Sequence, residues 1–183
     1  SCIIENLYKI ITVIKKEPQL YYVILLIKNL KILYIIGSIK MLGPVNQLYL
    51  MIDKISASHD VHLFVLSEKN QGDLLSRFKK LKCNVILNDG MNIRKVYHYI
   101  NTINNIEFFD VCHTTGIKAD YIGKRLSDKI PWVCTVRSNF IDDYGNKYGF
   151  LFGRFFSYFH LWIVKSCKNC ISVSNTLLEF LSS

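Results

Sequence analysis

From Lys31 onward the chain alternates between short, almost wholly apolar runs and longer stretches in which apolar residues recur every three or four positions. The short runs read as strands buried on both faces, and the longer stretches as helices packed along one side. Strands are predicted at 31–36, 61–66, 84–87, 109–113, 132–136 and 170–173. Helices are predicted at about 45–56, 72–81, 92–104, 119–127 and 148–166, with a last one opening at Asn175. Strands that take turns with helices predict a parallel sheet, because each crossover needs a helix to return the chain to the starting edge. Right-handed crossovers then give an α/β fold with a doubly wound parallel sheet, Rossmann-like, in three α/β/α layers. If the strand order is the usual doubly wound one, strands one and four are neighbours and the loops after them meet at the switch point, where such sheets bind ligands.

Residues 1–28 follow a different rhythm. Ile3, Leu7, Ile10, Ile11 and Ile14 share one helical face, Pro18 breaks it, and an apolar run from Leu20 to Ile27 follows. This is either an extra helix and strand or an extension outside the domain, which then occupies 29–183. The apolar run is too short to span a bilayer, and the start of the chain lacks the pattern of a signal peptide.

Length and composition narrow the picture. At 183 residues, half of them hydrophobic, the chain is one globular domain with no room for a second full lobe. The net charge of +9 predicts an anionic partner: nucleic acid, an acidic lipid surface or a phosphorylated small molecule. The basic residues are scattered and form no long run, which disfavours nucleic acid. Of the 6 cysteines, Cys112 and Cys134 lie inside apolar strands and behave as small hydrophobes. Cys167 and Cys170 form a CxxC pair without the second pair or histidines that a zinc site needs, so reduced cytosolic thiols are the expectation.

Three segments carry candidate chemistry. Gly43 and Pro44 follow the first strand: glycine permits close backbone approach, proline suits a helix's first turn, and the helix N-terminus attracts anions. The loop is neither a GxGxxG fingerprint nor a Walker loop, and an ordinary strand-to-helix turn is the alternative. His113, read as ending the fourth strand, can donate, accept or titrate near neutral pH, or be a strand-end histidine satisfied by backbone. It opens a loop with Thr115 and Gly116. After the fifth strand, Arg137 can clamp a phosphate or carboxylate, or pair with Asp142 or Asp143 at the surface. Asn139 lies in the same segment. The aromatic stretch 144–162 places Phe152, Phe156, Phe159 and Ile163 on one helical face, which favours core packing; the remaining aromatics, with Lys147, Arg154 and Lys165, suit an anionic membrane surface.

These segments resemble, in order and spacing, the N-terminal half of a family 4 retaining glycosyltransferase of the GT-B fold. KILYIIGSIKMLGPVNQLY resembles its first strand and glycine loop. FDVCHTTGIKADYIG resembles its fourth-strand segment, and the stretch from IPWVCTVRSNF to CISVS its fifth-strand region. The resemblance implies two Rossmann-like lobes facing across a cleft, with this one on the acceptor side. It implies transfer of a hexosyl group from a nucleotide sugar to a saccharide or lipid-linked hydroxyl, with retention and without a metal or other cofactor. It assigns the donor diphosphate to Gly43 and Pro44, and a catalytic, cleft-facing polar contact to His113. Thr115, Gly116, Arg137 and Asn139 become candidates for the acceptor or a phosphate. Two positions depart from the family pattern: Thr115 stands where many members have the second histidine of His-x-His, and Arg137 where many have the histidine of Thr-x-His.

On this reading the chain is the acceptor-binding half of an enzyme of polysaccharide or glycolipid biosynthesis. It is cytoplasmic, peripheral on the inner membrane face, and inactive without a donor-binding lobe after residue 183. The competing reading is a non-catalytic nucleotide- or phosphate-binding module of the same fold.

Overall fold

The computed structural model describes residues 29–39, 43–67, 72–174, 176–177 and 181. The extension 1–28 and most of the last predicted helix lie outside them. The strands are β1 (Lys31–Ser38), β2 (Asp60–Ser67), β3 (Asn84–Leu87), β4 (Val111–Thr115), β5 (Trp132–Val136) and β6 (Asn169–Ser172). The helices are α1 (Gly43–Ile55), α2 (Gly72–Lys79), α3 (Ile93–Glu107), α4 (Ile117–Leu126), α5 (Phe140–Tyr148) and α6 (Phe150–Lys165). The strands form one sheet in the order β3-β2-β1-β4-β5-β6, every neighbouring pair parallel. This is the doubly wound Rossmann-like arrangement, and β1 and β4 do flank the switch point.

The two faces are packed from different halves of the chain. Leu48, Ile52 and Ile55 of α1 and Leu74 and Phe78 of α2 bury against one face of β1–β3. Val96 and Ile100 of α3 and Ala119, Ile122 and Leu126 of α4 bury against the other, with Leu33, Ile35 and Cys112. Trp132, Cys134 and Val136 of β5 pack with Phe140, Ile163 and Val164. The alternation of side chains along each strand explains the division: residues two apart share a face.

Local capping moves three boundaries from their predicted places. The Asn92 side chain accepts from Lys95 N at 3.0 Å and starts α3. Phe108, at φ 53, ends it, and the next two residues are tied down outside the strand, with Phe109 N on Asn104 Oδ1 and the Asp110 carboxylate on Lys31 N. β4 therefore starts at Val111, and His113 is its middle residue, not its last. The predicted helix 148–166 is found as α6, and a helix that was not predicted, α5, precedes it: Asn139 caps α5, and Gly149, at φ 75, turns the chain into α6.

α6 also faces the other way from the expectation. Of the predicted core stripe only Ile163 is buried; Phe156 is half-buried, and Phe152 and Phe159 are exposed. The buried stripe is Gly153, Ser157, His160, Ile163 and Val164. The cause is the close approach of α5. A Cβ on Gly153 would lie 2.6 Å from both Gly145 Cα and the Tyr144 carbonyl oxygen, so nothing larger than glycine fits there. One turn on, the buried Ser157 hydroxyl lies 2.7 Å from the Phe140 and Gly153 carbonyls.

Candidate functional site

β4 and β5 carry the polar side chains that the switch point needs. His113 pairs in register with Tyr34 of β1 and Val133 of β5. Its Nε2 lies 2.7 Å from the Thr135 hydroxyl, and its ring packs 5.1 Å from the buried Tyr34 ring. Burial penalises the imidazolium, and the positive charge of Arg137 adds to that, so the His113 pKa falls to about 4. At neutral pH this histidine is an uncharged donor and acceptor.

Arg137 follows β5 directly and is half-buried, with its own pKa lowered by burial. A partly desolvated guanidinium beside a neutral imidazole suits an anion or a hydroxyl-bearing ligand. Thr115, at the end of β4, donates from its hydroxyl to the Thr135 carbonyl at 3.3 Å. Gly116 then opens α4 with φ 92, a conformation that side-chain-bearing residues rarely adopt. Its carbonyl accepts from Asp120 N at 2.9 Å.

His113, Thr115, Gly116 and Arg137 thus gather at the middle and carboxyl ends of two adjacent strands. Asn139 lies just beyond, but its side-chain oxygen is occupied in capping, accepting from Ile141 N at 3.0 Å. Gly43 is the first residue of α1 and Pro44 the second, as the helix-start reading requires. Residues 40–42 of that loop lie outside the described residues. Ser138 bonds to Asp143, so that carboxylate's hydroxyl partner is a neighbour in the same turn.

Behind this edge runs a buried polar chain that the sequence reading missed. Trp132 Nε1 donates to the Thr114 hydroxyl at 2.8 Å, and Thr114 donates to Asp120 Oδ1 at 2.5 Å. Asp120 Oδ2 lies 2.7 Å from His160 Nε2, and His160 Nδ1 lies 2.8 Å from the Tyr144 hydroxyl. A carboxylate only accepts, so the Nε2 proton points at Asp120. The Tyr144 pKa is raised, first by burial and then by the negative charge of Asp120. His160 is also stacked on Phe140 at 4.0 Å. The chain links β4, α4, α5 and α6, and so fixes the strand and helix ends on which Thr115, Gly116 and Arg137 stand. Thr114 and Asp120 sit beside the singled-out residues, but only the fold reveals their link to His160, 40 residues away.

The CxxC pair has a third partner. The Cys134 thiol hydrogen-bonds with Cys167 and Cys170, which together with burial raise its pKa strongly. All described cysteines are free thiols. Among the described residues no group of three or more His, Cys, Asp or Glu side chains is placed to hold a metal ion. No described helix is long and apolar enough to cross a membrane.

No protein-family model matches the sequence, and no curated protein does either. The fold does have solved counterparts. The chain superposes on the sucrose-phosphate synthase of Thermosynechococcus elongatus with a TM-score of 0.62 and 12% identity, over 82% of this chain and 44% of that one. At that identity the likeness shows the fold, which is GT-B-like, and the chain spans less than half of the structure it matches.

Proposed function

We propose that this domain is the acceptor-binding half of a family 4 retaining glycosyltransferase, in a pathway that builds polysaccharide or glycolipid. The observation that carries the reading is the neutral His113 beside Arg137 at the switch-point edge of a GT-B-like sheet. In the reaction an acceptor hydroxyl attacks the anomeric carbon of a nucleotide sugar. The bond from that carbon to the diphosphate breaks, the departing diphosphate oxygen takes up the hydroxyl proton, and the configuration is retained. The amides opening α1 at Gly43 and Pro44 stabilise the departing diphosphate. His113 positions the reacting groups as a neutral hydrogen-bonding partner, and Arg137, with Thr115, Gly116 and Asn139, holds the acceptor or a phosphate.

Transfer assayed with this domain joined to a donor-binding lobe tests the reading. His113→Ala and Arg137→Ala should each lower kcat/KM by about tenfold to a hundredfold, the worth of one charge-assisted or buried hydrogen bond. Circular dichroism should show both variants folded. Unchanged rates in both would overturn it.

The α1 N-terminus supports a second reading, a nucleotide- or phosphate-binding module without catalysis. Calorimetry of the chain with nucleoside diphosphates separates the two: micromolar binding without a second lobe favours the module.

A further inference from the structure

We propose that the outer face of the α5–α6 hairpin is a docking surface for an anionic lipid bilayer, on which the domain lies without crossing it. The inference goes beyond sugar transfer and does not depend on it. α6 buries its small and polar residues and turns its large apolar ones outward. Phe150, Leu151, Phe152, Phe155, Tyr158 and Trp162 are all more than half exposed, with Leu151 at 77% and Trp162 at 56%. A soluble surface rarely keeps so many large rings together in water without an apolar partner.

The charges around the rings identify that partner. Lys124 Nζ lies 3.2 Å from the Trp162 ring centroid, and the Arg154 guanidinium lies 5.4 Å from the Phe150 ring and 5.9 Å from the Tyr158 ring. Lys147 sits 5.1 Å over Tyr148. Lys165 ends the helix, and from Tyr144 to Leu178 the sequence contains no Asp or Glu. The acidic residues of the hairpin, Asp142 and Asp143, are confined to the first turn of α5, at the far end of that helix from the Gly149 turn. Apolar and aromatic rings flanked only by Lys and Arg have the composition of a helix lying at the headgroup boundary of an acidic membrane.

Other occupants fit less well. A second copy packed face to face would oppose Lys124, Lys147 and Arg154 with their own images and supply no carboxylate. A facing lobe would sit over the carboxyl edge of the sheet. α6 instead runs from that edge back to the start of β6, away from such a lobe.

The chain contains 2 tryptophans, and Trp132 is buried, so emission changes on binding report Trp162. Titration with phosphatidylcholine vesicles containing phosphatidylglycerol should shift that emission to the blue and carry the chain down on sedimentation. Pure phosphatidylcholine should bind at least tenfold more weakly, and added salt should weaken the anionic case, because surface charge is screened within about 10 Å at 0.1 M. Leu151→Glu combined with Phe155→Glu should abolish binding. Arg154→Glu should lower it by about tenfold or more, at roughly fivefold for each unit of charge. Each altered side chain is exposed, and circular dichroism should show all variants folded. His113→Ala should bind like the parent, which separates this surface from the proposed sugar chemistry. Absence of binding to anionic vesicles at low salt would overturn the proposal. So would equal binding to neutral ones, or a dimer in vesicle-free solution that shifts the Trp162 emission.

Discussion

Around β1–β3, α1 and α2 bury Leu48, Ile52, Leu74 and Phe78 and leave their polar residues outside; beside β5 and β6, α6 buries glycine, serine and histidine and leaves its phenylalanines outside. Both are regular helices packed on the same sheet. They differ in how near the next element comes. α1 and α2 meet the sheet across ordinary side-chain layers, where aliphatic volume is needed. α6 meets α5 at a backbone-to-backbone distance, where Gly153 leaves no room for a side chain, and a hydrogen-bonded chain through Asp120 and His160 supplies cohesion. Amphipathic spacing therefore locates a helix, but the inward face follows from interhelical distance.

The contrast breaks first at Asp120. Asp120→Ala removes the shared acceptor of Thr114 and His160, and should cost about 3–5 kcal/mol in urea unfolding, the usual result of orphaning one member of a buried pair. Two phenylalanine truncations sharpen it. Phe78 is fully buried, and Phe78→Ala should cost about 3–5 kcal/mol. Phe155 is 63% exposed, and Phe155→Ser should change stability by no more than about 0.5 kcal/mol. Equal losses at the two positions would refute the outward orientation of α6.

Between these two truncation effects falls a pH effect from the site itself. The folded His113 pKa of about 4 lies below the ordinary histidine value of 6.5, so the unfolded chain binds the extra proton first as pH falls. Stability from this group is complete above about pH 6.5 and is lost progressively down to about pH 4, at most about 3 kcal/mol in all. His113→Gln, which keeps a hydrogen-bonding group, should flatten the stability profile across that window relative to the parent. Identical profiles would mean that His113 is solvated in the fold.

Much of this architecture was readable in the chain before folding. The apolar runs of β1, β2 and β5 need two covered faces, and their alternation with helices leaves few topologies. For the same reason the adjacency of strands one and four was foreseeable, and with it the place of His113, Thr115 and Gly116 beside β1. The misreadings have identifiable causes. His113 moved from strand end to strand middle because Asn104 and Asp110 anchor the residues before β4, while Thr114 and Thr115 continue the pairing with Ile35 and Ile36 of β1. α5 went unpredicted, because its start rests on the Asn139 cap and its end on the Gly149 turn. The stripe on α6 reversed because of α5. For His113 and for the stripe on α6, a hydrogen bond or a close approach between segments overrode a pattern within one segment.

By itself, then, the sequence determined the class of fold, the order of its strands and helices, and which short polar segments stand at the carboxyl edge, because burial periodicity and crossover geometry are local consequences of side-chain type. Only the tertiary structure decided that His113 is neutral beside Arg137, that Asp120 and His160 are partners, and that α6 presents its aromatic side outward. Desolvation, pairing and interhelical distance depend on atoms far apart in the chain, which no local pattern encodes.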